Sequence, residues 1–104
     1  MDLVSNLEAM LAAGQDSAML RYTLGNAYLK AGDSKRAIMQ LHEAVNLDHN
    51  YSAAWKSYAR ALSEAGEIAA AISAYETGIR VAEGKGDLQA AKEMRVFLKR
   101  LLKG

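Results

Sequence analysis

A chain of 104 residues is the size of one domain, with just enough length to bury a core of its own. It is 51% hydrophobic and 24% charged, which excludes a disordered chain, and the lack of cysteine excludes a disulfide framework, a thiol nucleophile or a cysteine-held zinc. A net charge of +1 gives no global pull toward nucleic acid or an anionic membrane, and no stretch approaches the roughly 18 apolar residues of a membrane span.

The absence of proline and the abundance of Ala, Leu, Glu, Lys and Met predict helices, about six of them, and no strands. The opening MDLVSNLEAM has neither the basic start nor the apolar run of a signal peptide, so a cytoplasmic protein is expected. Leu3, Leu7, Met10 and Leu11 form the first helical stripe, which stops at Gly14. A second helix starts at Asp16 or Ser17, carries Leu20, Leu24, Ala27, Tyr28 and Ala31, and ends at Gly32. Asp33 or Ser34 opens the third, with Ile38, Leu41, Ala44, Val45 and Leu47. Ser52 is the expected N-cap of the fourth, whose stripe is Trp55, Tyr58, Ala61, Leu62 and Ala65 before Gly66. The fifth holds Ile72, Tyr75, Ile79 and Val81 and stops at Gly84 or Gly86. Asp87 opens the sixth, with Leu88, Ala91, Met94, Leu98 and Leu101. Connections this short make successive helices antiparallel neighbours.

The chain also repeats. Residues 24–47, LGNAYLKAGDSKRAIMQLHEAVNL, and 58–81, YARALSEAGEIAAAISAYETGIRV, stand 34 residues apart. At that offset Ala27/Ala61, Ala31/Ala65, Gly32/Gly66, Ala37/Ala71 and Ile38/Ile72 are identical. Small residues recur where two helices must approach, and glycine recurs at the turn between them. This pattern resembles the tetratricopeptide repeat, a helix–turn–helix of period 34. Leu24, Gly25 and Tyr28, then Ala37, Leu41 and Ala44, match its positions in a repeat over 18–51. Trp55, Tyr58, Ala59 and Leu62, then Ala71, Tyr75 and Gly78, match them over 52–85. Arg21 replaces the usual Trp, and His49 and Glu83 replace the usual Pro. In this frame 1–17 is a half-repeat helix and 86–104 a capping helix, within one domain. A stack needs such caps because one hairpin exposes an apolar face to its successor. The expected fold is therefore an all-α superhelical stack of antiparallel helix hairpins.

The resemblance implies a non-enzymatic protein-interaction module whose first helices line a concave groove. By that resemblance the groove-facing residues are Met19, Tyr22, Asn26, Leu29, Lys30, Lys56, Arg60 and Ser63. Lys56 and Arg60, four apart on one helix face, suit a carboxylate, and Asn26 suits a peptide bond. The related clamp for chaperone C-termini, with paired Lys and paired Asn over three repeats, is matched only at Asn26, so that ligand is not expected. The expected partner is a protein or peptide segment, with no cofactor and no metal.

Other features read blandly. His42 and His49, seven apart without a third ligand, make neither a metal site nor a catalytic base. Gly84 and Gly86 make a turn, not a phosphate loop. Residues 88–104 hold Lys92, Arg95, Lys99, Arg100 and Lys103 against Glu93, a local net charge of +4 that suits a helix C-terminus. The alternative function is structural, in which the protein forms a homodimer or docks through this helix at Phe97 and Leu102.

Overall fold

Four of the six helices, the first, second, fourth and fifth, are ended by the same device. The computed structural model describes residues 2–104, and among them the order is α1 (Leu3–Ala12), α2 (Ala18–Lys30), α3 (Ser34–Leu47), α4 (Ser52–Glu64), α5 (Ile68–Gly84) and α6 (Leu88–Lys103). The chain is all-α. At Gly32 (φ +82°) the backbone enters the left-handed region, Gly32 N donates to Leu29 O, and Asp33 N donates back to Tyr28 O at 2.9 Å. That pair of bonds satisfies two orphan carbonyls of α2. The same exchange closes α1 at Gly14, α4 at Gly66 and α5 at Gly86, while Gly84 is the last residue of α5.

Asp2, Ser17, Asp33 and Asp87 then cap the helix that follows, accepting from backbone N–H groups at 2.8–3.2 Å. Asp33 and Asp87 thus serve the end of one helix with the backbone and the start of the next with the side chain. Ser52 does not act as the expected cap. It is the first residue of α4, Tyr51 stands at the cap without a side-chain bond, and the Ser52 hydroxyl donates to Asp87 Oδ2 at 2.6 Å. A buried hydroxyl finds a better acceptor in that carboxylate than in its own helix.

Small residues set the packing. Ala37, Ala44, Ala54, Ala59, Ala61, Ala71, Ala82 and Ala91 have no exposed surface, so neighbouring backbones lie close. One core joins Leu7, Leu20, Leu24, Tyr28, Ala37 and Leu41, and a second joins Ala59, Leu62, Ala71, Tyr75, Ala91 and Met94. Ile38 and Tyr58 touch both. Gly25 marks the closest approach of α2 to α3: a Cβ there would lie 2.5 Å from Leu41 Cγ. The result is an elongated stack of 41 × 28 × 18 Å, with α1 against α2 at one end and α6 covering α5 at the other.

The departures from the repeat pattern have local answers. Arg21, in the tryptophan position, donates to Asp16 at 2.8 Å and 3.0 Å and to Gln40 at 3.0 Å. The turn without proline is tied by Asn50 N donating to Asp48 Oδ1 at 3.0 Å. Leu at either Ala37 or Ala71 should overpack these crossings and lower stability by about 1–3 kcal/mol in a denaturant melt. Tolerance of both would contradict the close approach.

Candidate functional site

Helical spacing brings two rows of side chains to one face. Asn26, Leu29 and Lys30 on α2 and Lys56, Ser57 and Arg60 on α4 line a cavity of about 380 Å³, and Tyr75 of α5 and Phe97 of α6 complete it. The Tyr75 and Phe97 rings are stacked, with centroids 6.0 Å apart and planes 15° from parallel. The Arg100 guanidinium lies 5.6 Å above the Phe97 ring, a cation–π contact that holds the ring in place. Tyr75 is only 2% exposed, and burial raises the pKa of its phenol, so it stays neutral.

The cations differ in state. Lys56 Nζ is 2.7 Å from Glu93 Oε1 of α6, and Arg60 Nε is 2.8 Å from Glu64 Oε2 one turn along α4. Hydrogen bonds from Lys56 and from Gln89 hold the Glu93 carboxyl below the ordinary glutamate value. Lys30 is exposed and makes no ion pair among the described residues. Chemically, the cavity offers positive charge, an amide and a hydroxyl around an aromatic and aliphatic floor, the mix expected of a binding site.

Of the residues expected in the groove, Asn26, Leu29, Lys30, Lys56 and Arg60 lie in this cavity. Met19 lines a separate depression with Met10 and Thr23 beside the turn between α1 and α2. The Tyr22 ring packs on Tyr51 at 4.9 Å, within the cluster of Ala44, Val45 and Ala54. Ser63 is half-buried near the end of α4 and outside the lining. Phe97 turns its ring to the groove, while Leu102 is 64% exposed in the last turn of α6. Ser57 and Tyr75 were not expected in the site. Tyr75 reads as core because it stands where the preceding hairpin has Leu41, and only its greater length brings it to the groove.

The histidines lie on other surfaces. His42 lies beside Tyr58 with ring centroids 5.7 Å apart and planes tilted by 48°, and His49 meets Trp55 edge-on at 5.3 Å. Among the described residues no group of three or more His, Asp or Glu is placed to hold a metal ion. A depression of similar volume on another surface is lined by His49, Asn50, Thr77, Arg80, Val81, Gly84 and Lys85, without a phenyl or phenol ring. No helix among the described residues is long and apolar enough to cross a membrane.

Comparison with known proteins agrees with this architecture. Residues 4–78 match a helical-repeat family described as anaphase-promoting complex, cyclosome, subunit 3. A TPR repeat-containing protein of Pseudomonas aeruginosa is 48% identical over 99 residues, which is 95% of this chain and 94% of that protein. The solution structure of a Bordetella parapertussis protein is 40% identical and superposes with a TM-score of 0.86, covering 99% of this chain and 90% of that one. The second TPR domain of human RPAP3, solved in complex with an HSP70 peptide, shares the fold at 24% identity and a TM-score of 0.72, over 88% of this chain and 78% of that one. Repeat period, hairpin geometry and these relatives agree: the chain belongs to the tetratricopeptide-repeat family.

Proposed function

We propose that this protein is a non-enzymatic interaction module of the cytoplasm that holds a peptide segment of a protein partner in the groove of α2, α4 and α6. The observation that carries the reading is one cavity in which Lys30, Lys56 and Arg60 surround the floor of Leu29, Tyr75 and Phe97. Rigid helices hold these side chains in place before binding, so little ordering entropy is lost, and modest contacts suffice for micromolar affinity, about −8 kcal/mol. The RPAP3 domain, which shares the fold, is a precedent for a peptide complex.

The test is capture of partners from the native lysate by the wild type and by Lys30→Glu/Arg60→Glu, with Leu102→Glu alongside. Both groove positions are exposed, so the double variant should keep its circular dichroism spectrum. A protein retained by the wild type and by Leu102→Glu, yet lost with the double variant, is the expected result. The opposite pattern would support the second reading, docking or self-association through α6, where Leu88, Val96 and Leu102 stand exposed.

A further inference from the structure

The last helix brings a ring into the groove and, four residues earlier, a carboxylate to the outer side of one of its lysines. Glu93 reaches Lys56 at 2.7 Å, and Phe97, one turn on, stacks over Tyr75. The first engages a cation of the groove, and the second forms part of its apolar floor. Building on the groove reading above, we propose that the ligand is an acidic peptide segment with a large apolar side chain beside its carboxylate, and that Glu93 is a built-in competitor displaced from Lys56 when the segment binds.

Three observations lead there. Three cations line the cavity; Lys56 and Arg60 are each paired with one carboxylate and Lys30 with none among the described residues, so the surplus positive charge favours an anionic occupant. The Lys56 and Glu93 side chains are 36% and 40% exposed, and an ion pair that wet is readily exchanged for another carboxylate. Glu93 also accepts from Gln89 Nε2 at 3.2 Å, so once released it keeps a partner on its own helix. Lys30 gives the incoming acid a second contact without displacing anything. The apolar requirement follows from the floor: a ligand that is merely acidic leaves the Phe97 ring facing water, and one that is merely apolar leaves the Lys56 pair intact.

The experiment is selection of a phage-displayed library of random short peptides on the full chain, followed by titration of purified peptides. Asp or Glu next to Leu, Ile, Met or an aromatic residue should be enriched. Glu93→Gln should tighten such a peptide about two- to fivefold, the range that removal of an exposed competing pair allows. Lys56→Gln should weaken it by a similar factor and erase the gain from Glu93→Gln, because the two changes act on one contact. Enrichment of peptides without acids, or a Kd unmoved by Glu93→Gln, would overturn this proposal and leave the groove standing. Selection of nothing, or only of peptides indifferent to Lys30→Glu/Arg60→Glu, would instead overturn the groove reading itself.

Discussion

Leu41→Ala should cost about 2–5 kcal/mol, the range for deleting a fully buried leucine, and lower the melting temperature by about 4–8 °C for each kcal/mol. Leu41 has no exposed surface and sits against Gly25, Leu24 and Tyr28 of α2. The sharper expectation concerns the pair. Gly25→Ala alone drives a methyl to 2.5 Å from Leu41 Cγ, an overpacking cost of about 1–3 kcal/mol set against about 1 kcal/mol of better helix propensity. With Leu41→Ala in place the same methyl enters the vacated space, so Gly25→Ala should turn stabilising. Urea melts of the two single variants and the double one measure this coupling. Costs that simply add would show that α2 and α3 do not meet at this point.

Asp87→Ala should lower the melting temperature by on the order of 10 °C, since it removes two things together. The carboxylate caps α6 through Ala90 N at 3.2 Å and accepts the Ser52 hydroxyl at 2.6 Å. Ser52 is 2% exposed, and a buried hydroxyl left without an acceptor costs about 1–3 kcal/mol by itself. Ser52→Ala should be milder, because Asp87 keeps its cap. The pH dependence separates this account from general loosening. The Ser52 and Ala90 hydrogen bonds lower the Asp87 pKa below its ordinary 3.8. A lowered folded-state value means that the stabilisation is present above 3.8 and is lost as pH falls through the folded value. Asp16, lowered by Arg21, and Glu93, lowered by Lys56, act in the same sense. Melts in acid should therefore show the gap between wild type and Asp87→Ala closing below that range. A gap of constant size would mean that the charge of Asp87 contributes nothing.

What could be read from the sequence was what is local along the chain. The Ala-Gly-acid turns at 31–33 and 65–67 place helix ends within a few residues, because glycine is needed at positive φ and the next residue can begin a helix. The faces of α2 and α4 follow from helical spacing, which is why Asn26, Leu29, Lys30, Lys56 and Arg60 could be named together. Illegible were the effects of residues distant in sequence. Glu64 as a partner for Arg60 is visible at four residues' spacing, but Glu93 stands 37 positions from Lys56. Ser52 has the composition of a cap, and only the arrival of Asp87 35 positions later gives its hydroxyl another use. Tyr22 has the spacing of a groove residue, but the Tyr51 ring covers it. Phe97, expected at a self-association surface, faces the groove because Tyr75 offers its ring a flat partner.

That Phe97 and Glu93 come from the last helix also orders events in time. During synthesis α2 and α4 emerge and pair with their neighbours while the groove lacks its final wall, and Ala71, Ala74 and Tyr75 await a cover. The Phe97 ring and the Glu93 carboxylate arrive only when α6 docks. The groove proposed here to hold a peptide is therefore complete only once α6 is in place.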